Sequence, residues 1–459
     1  MSEIRLGYFG DRRNGATGSE LVEGMVRSGS AVVRKAATGR AAEVRIGRWL
    51  GNAAVTVEEM AATAARRVGR AVAGRTILAI QDTTTITFRG QEAEYAGLGQ
   101  ANDKAPGFFI HPTIAVDAET DHLLGVAHAE IWTRGTGADA PDRSRRNQRP
   151  VEQKETRRWI EGAARAAETL AEAAQVIVVA DREGDFYANF ASRPPTVDLL
   201  VRAMHDRSIV GGKLFAAADA WRPADRRDIT ATPPRPTGMS KKQRRTPRHM
   251  EVEIRFGTVA LRPPGSGNVK AASEPIGLTL VDVREVNAAP GRSPVRWRLL
   301  TTLAVATVED AWRVVDHYRR RWRIEQVFRA MKSDGLGLNR TQVRDRHRLF
   351  NLSMAALVAA VRTIQLVDAR SGGSRPATDV LDDEDRLDAA EAIGKSLEGK
   401  TERQKNPHPR RSLAWLSWIA ARLGGWHCYY KPPGPKTMHS GWEHLNQRIE
   451  GYRLARGDL

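Results

Sequence analysis

Two short runs of the chain are too apolar to sit on any surface. Thr76-Ile77-Leu78-Ala79-Ile80-Gln81-Asp82 and Val176-Ile177-Val178-Val179-Ala180-Asp181 each carry an unbroken apolar stretch and then stop at a carboxylate. A strand covered on one face alternates apolar with polar residues, whereas an unbroken run belongs to a strand buried on both faces. Between the two runs lie Phe108 to Val116 and Leu123 to Trp132, strand-like and joined by the turn Asp117-Ala118-Glu119-Thr120-Asp121. A long helix is expected from about Val151 to Ala173, with Trp159, Ala163, Ala166, Leu170 and Ala174 at helical spacing. A hairpin, a helix and a later strand around one sheet make an α/β or mixed domain.

The flanking segments read differently. Residues 1 to 70 suggest short amphipathic helices punctuated by Gly15, Gly29, Gly39 and Gly51, either a small DNA-reading domain or a plain helical cap. Residues 71 to 370 form the central domain, with a strand-rich insertion at about 190 to 300. The centre of that insertion, Arg235 to Met250, carries six Lys or Arg, among them Lys241, Lys242, Arg244 and Arg245, and no acid. It is a solvated hairpin tip or a DNA-tracking arm. Residues 371 to 459 begin with a polar, charge-segregated linker to Arg411, acidic at Asp379 to Asp385, followed by helices at Leu413 to Arg422 and Trp442 to Leu454. Trp415, Trp418, Trp426 and Trp442 there supply a packing face, for a dimer contact or for an internal core. Two to four domains suit a chain of 459 residues.

Charge narrows the partners. With 72 basic against 54 acidic residues the net charge is +18, which points to a polyanion, nucleic acid or an anionic membrane surface. Only 13 of the basic residues are Lys, and so strong an Arg bias can also reflect genome composition. The single Cys428 excludes a disulfide framework and a cysteine-based zinc module and suits a reducing cytoplasm. The first residues lack the apolar core of a signal peptide, and no run of about 18 uncharged apolar residues occurs. A cytoplasmic protein without a membrane partner is expected.

The chemistry concentrates in Tyr318-Arg319-Arg320-Arg321-Trp322-Arg323-Ile324-Glu325-Gln326-Val327-Phe328-Arg329-Ala330-Met331-Lys332, where nothing breaks a helix. At about 100° per residue, Tyr318, Arg321, Glu325 and Lys332 form one narrow stripe, while Ile324, Val327, Phe328 and Met331 centre on a neighbouring, core-facing side. A lone Glu among cations can be no more than their salt-bridge partner. The aspartates give it another role, because Asp82 and Asp181 end strands where α/β folds place their sites. Three carboxylates, Asp82, Asp181 and Glu325, can hold two divalent cations about 3.5–4 Å apart. Oxygen ligands select Mg²⁺, with Mn²⁺ able to substitute. Such a pair would support in-line attack of a water or 3′-hydroxyl on a phosphodiester with departure of the 3′-oxygen, and the neighbouring Tyr318, Arg321, Arg323 and Lys332 would hold adjacent phosphates. Asp185 lies a few residues beyond Asp181 and is read as a cap on the following segment. The 11 His residues show no metal-ligand spacing and are assigned nothing.

Tyr-x2-Arg-x3-Glu-x6-Lys, complete at Tyr318, Arg321, Glu325 and Lys332, resembles the signature of a large group of bacterial insertion-sequence transposases with a DDE triad. Asp82-Thr83-Thr84 looks like that group's first-aspartate motif and Asp181-Arg182-Glu183-Gly184-Asp185 like its second. Chain length and segment order, with Ala420-Ala421-Arg422-Leu423-Gly424-Gly425 near the end, also resemble transposon-five transposase. The resemblance implies an RNase H-like catalytic core, a mixed sheet flanked by helices, with a β-rich insertion and helical N- and C-terminal domains. It implies cut-and-paste transposition: nicking, a DNA hairpin, hairpin opening and strand transfer. The implied partners are double-stranded DNA, as terminal inverted repeats and target, and a second copy of the chain in a synaptic dimer. Trp297 and Trp322 look like the positions that displace or receive a flipped base, though each could be core. Two rival functions stay open, an RNase H-like nuclease that never joins DNA and a DNA-binding repressor whose site is spent.

Overall fold

The computed structural model describes residues 6–88, 95, 97–101, 105–135, 150–231, 248–264, 274–288, 294–332, 335–370, 372–373, 375–381, 384–429 and 432–456. In chain order these form α1 (Arg12–Ser28), α2 (Val33–Ala36), α3 (Arg40–Leu50), α4 (Val57–Gly69), β1 (Thr76–Gln81), β2 (Thr84–Thr87), β3 (Gly107–Asp117) and β4 (Leu123–Trp132). Next come α5 (Arg157–Thr169), β5 (Gln175–Ala180), α6 (Tyr187–Ala191), β6 (Asp198–Arg202), β7 (Ser208–Ile209), β8 (Gly212–Lys213), α7 (Leu214–Ala220), β9 (Asp225–Ala231), β10 (Arg248–Leu261), β11 (Ile276–Glu285) and β12 (Arg296–Thr301). The chain closes with α8 (Val308–Arg319), α9 (Trp322–Met331), α10 (Arg346–Ala369), α11 (Glu384–Leu397), α12 (Leu413–Leu423) and α13 (Pro435–Arg456). They fall into two compact units. Unit 1 holds residues 1–71, 83–140 and 323–459; unit 2 holds 72–82 and 141–322.

Unit 2 is built on a mixed sheet. The two apolar runs become β1 and β5, paired in parallel from Thr76 opposite Gln175 to Ile80 opposite Val179. β6 continues the parallel set, with Ala180 opposite Val201. Then β12, β11, β10 and β9 extend it antiparallel, so the strand-rich insertion lengthens this sheet. Ile77, Leu78, Ala79 and Ile80 are fully buried, as an unbroken apolar run requires. Helix α5 covers β1 and β5, while α7 and α8 cover β10 and β11. The helix expected over Val151 to Ala173 is shorter: a 3-10 turn at Val151–Gln153 precedes α5. It cannot run on, because the Ala174 N–H bonds the Arg75 carbonyl, which commits the chain to β5.

Unit 1 is helix-rich, with β2, β3 and β4 as an antiparallel meander. Its hairpin turn lies where expected: the Asp117 carboxylate accepts the N–H groups of Glu119 at 2.9 Å and Thr120 at 3.0 Å. Helix α10 is long and apolar enough to cross a membrane by length and composition. It is a core helix, buried among α1, α4, α12 and β4. The expected linker at 371 to 411 contains α11, whose first turn takes Glu384 and Asp385 from the acidic run. Acids there oppose the positive end of the helix dipole, so the charge segregation marks a helix start. Trp415, Trp418 and Trp442 are buried within the unit; they furnish internal core.

Helices α12 and α13 touch backbone to backbone at two glycines. A Cβ on Gly441 would stand 1.6 Å from the Ala420 carbonyl oxygen, and one on Gly424 would stand 2.1 Å from that of Thr437. No rotamer relieves a backbone clash, so Gly441→Ala should force the helices apart and cost about 2–3 kcal/mol. Chemical denaturation measures it; an unchanged unfolding midpoint would contradict this crossing.

Candidate active site

The parallel register delivers charged groups to one edge of unit 2. Two residues beyond the Ile80–Val179 pair come Asp82 and Asp181, so the chain places the two carboxylates at equivalent positions past β1 and β5. Arg202 ends β6, the next strand. Adjacent strands lie about 4.8 Å apart, so these side chains leave the sheet as close neighbours. Asp181 also caps the 3-10 turn Arg182–Gly184, its Oδ1 accepting the Glu183 N–H at 2.8 Å.

The helical segment meets this edge in an unexpected way. The single helix read from Tyr318 to Lys332 is interrupted: α8 ends at Arg319 and α9 starts at Trp322. Across the gap the Arg321 N–H bonds the Tyr318 carbonyl three residues back, at 3.0 Å, which tightens the turn. A tertiary contact accompanies the break, since Arg321 Nη1 donates to Asp82 Oδ2 at 2.8 Å. Their side chains are only 15% and 12% exposed, so the pair is held largely out of water.

Tyr318 is buried, and burial pushes its phenol upward against the opposing pull of Arg202 and Arg321. It shares a hydrogen bond with Arg202, whose guanidinium is destabilised first by burial and further by Arg182 and Arg321. Arg202 also donates to the Arg296 carbonyl at 2.9 Å. Trp297 on β12 meets the Tyr318 ring edge-on, centroids 6.0 Å apart. Arg182, Arg202 and Arg321 thus share one neighbourhood with Asp82, Asp181 and Tyr318, an arrangement suited to an anionic ligand. Arg182 and Arg202 were not singled out in the sequence. The available signal was the one that found the aspartates, since Arg202 also ends an apolar strand, Leu199-Leu200-Val201.

The remaining residues fall as follows. Trp322 is 38% exposed at the start of α9, which removes the core alternative for it. Glu325 in the first turn of α9 and Lys332 just past its end belong to unit 1, both half-buried. Arg323 is already engaged: it donates to Asp121 at 2.7 and 3.0 Å and to Asp368 at 2.8 Å, which makes it a brace within unit 1. Lys241, Lys242, Arg244 and Arg245 lie outside the described residues. Asp185 does not cap the next segment, since α6 starts after Phe186 with no side-chain cap. Buried, it accepts the N–H groups of Met204 at 2.7 Å and His205 at 3.1 Å, and Arg207 Nε at 2.7 Å, pinning the loop after β6.

Carboxylates at strand ends are the donor chemistry for a hard divalent cation. Among the described residues, however, no group of three His, Cys, Asp or Glu is disposed to hold a metal ion, and Arg321 takes one Asp82 oxygen. As arranged, the residues do not fit a bound divalent cation.

Residues 145–362 match a family model described as Transposase DDE domain. That stretch is just under half of the chain; it includes Asp181, Tyr318, Arg321, Glu325 and Lys332 and omits Asp82. The match supports a DDE transposase family. Among solved structures the chain is similar to a piggyBac transposase synaptic complex with hairpin DNA, at 9% identity and a TM-score of 0.35, over 83% of this chain and 54% of that one. The chain therefore spans about half the length of that structure.

One buried group at the site makes stability depend on pH. His317, next to Tyr318 on α8, is lowered from 6.5 to about 4, chiefly by burial, with Arg320 and Arg313 adding and Asp316 opposing. Between those values the unfolded chain takes up a proton that the folded chain refuses. Stability should therefore be full above about pH 6.5 and fall by up to ~3 kcal/mol toward pH 4. Urea melts of wild type and His317→Gln check this: the variant's slope over that window should flatten, and parallel slopes would refute the assignment.

Proposed function

We propose that the chain is a cut-and-paste DNA transposase with Asp82, Asp181 and Glu325 as its DDE triad. The observation that carries the reading is the strand-edge site itself: two aspartates past neighbouring parallel strands, with Tyr318 and Arg321 brought to them. The family match over residues 145–362 supports it. On this reading β1, β5 and β6 belong to an RNase H-like core, and Glu325 supplies the third carboxylate from α9.

The work assigned to the chain's own groups follows from their chemistry. Arg202 and Arg321 would grip non-bridging oxygens of a phosphodiester through paired N–H groups. Tyr318, kept neutral by burial, would donate its hydroxyl to the same backbone. Trp297 and the exposed Trp322 would offer faces to a displaced base, and Lys332 would add a point charge. The cofactor assigned to the carboxylates is Mg²⁺, two ions with Mn²⁺ as substitute; its entry requires a change at Asp82. The partners are transposon ends, target DNA and a second copy of the chain. Residues 1–70 would read DNA, residues 371–459 would help pair subunits, and the site of action is the cytoplasm.

The triad is tested with purified Asp82→Ala, Asp181→Ala and Glu325→Ala proteins. Each should lose at least about a thousandfold in Mg²⁺-dependent cleavage while DNA binding stays within a few-fold. A variant that still cleaves at the wild-type rate removes its residue from the triad.

A further inference from the structure

The carboxylates invite a divalent cation, yet Asp82 is already paired with the guanidinium of Arg321. Arg321 Nη1 lies 2.8 Å from Asp82 Oδ2, and neither side chain is more than about one-sixth exposed. An oxygen lone pair committed to a guanidinium is not available to a metal ion, and two positive charges cannot crowd one carboxylate without repulsion. Arg321 also lies within electrostatic reach of another cation, since it destabilises the Arg202 guanidinium. The guanidinium is held by Asp82. Its backbone occupies the two-residue joint between α8 and α9, where the helical ladder lapses.

We propose that Arg321 is a built-in counter-cation of Asp82 that competes with the divalent cation for this carboxylate, and that a phosphodiester is the ligand that draws it away. This rests on the transposase reading and deepens it. A phosphate offers the guanidinium two oxygens at once, so substrate arrival draws Arg321 off the Asp82 oxygen it holds. Metal and DNA then bind cooperatively, and by linkage each raises the other's affinity by the same factor. Without a phosphate backbone in place the site holds metal more weakly.

The test reads Mn²⁺ alone, by electron paramagnetic resonance titration of the full chain without DNA. Removing the competing charge in Arg321→Gln should tighten Mn²⁺ binding about tenfold, about 1.4 kcal/mol. Arg321→Met, a second neutral replacement checked by its unfolding curve, should do the same, whereas Arg321→Lys should stay within about threefold of wild type. The gain should vanish in Arg321→Gln/Asp82→Asn. Equal affinity in wild type and both neutral variants overturns the proposal, as does a gain that survives Asp82→Asn. Because no cleavage is read, the two ideas fail separately. Tight Mn²⁺ binding by Arg321→Gln in a chain that never cleaves DNA sinks the transposase reading alone, and flat affinities with intact cleavage sink the competition alone.

Discussion

Backbone hydrogen bonding among β1, β5 and β6 fixes where the strand-end charges of the site emerge. Once Ile80 lies opposite Val179 and Ala180 opposite Val201, Asp82, Asp181 and Arg202 must emerge together at one edge. A slip of one residue would turn each of those side chains to the other face. The slip is forbidden by the apolar content of the strands, because β1 and β5 are buried along nearly their whole length. The energy that specifies the site is thus hydrophobic, and the charged residues ride on a register they do not set.

The charges then settle among themselves. Asp185 gives up any catalytic part to hold the loop after β6, and Arg323 braces the turn after β3. Arg321 turns to Asp82, Tyr318 to Arg202. An excess of guanidinium remains around two carboxylates, which suits a substrate carrying its own negative charge. The same excess explains why the carboxylates do not stand ready for a metal.

Much of this was legible in the sequence, and the reasons for the rest are physical. Unbroken apolar runs announce buried strands, so β1 and β5 were read to within a residue, as was the turn at Asp117. The break at Arg320 and Arg321 was not legible, since neither Gly nor Pro marks it; the residue drawn out of the helix is paired with a carboxylate 239 positions away. The pairing of Arg323 was illegible for a similar reason, its partners Asp121 and Asp368 lying far off in the chain. The acidic run before α11 resembled a linker because charge at a helix start and charge in solvent look alike in one dimension. The C-terminal tryptophans allowed two readings, and only burial chose the internal one for Trp415, Trp418 and Trp442.

On the proposed reading this site both cuts and joins DNA. The direct measurement is incubation of the purified chain with Mg²⁺ and duplex DNA carrying the sequences that flank its own gene, with products resolved on denaturing gels. Hairpin-ended fragments followed by molecules joined to a target plasmid are the predicted result. Cleaved fragments that never join would make the chain a nuclease, and bound but intact DNA would make it a binding protein with a spent site.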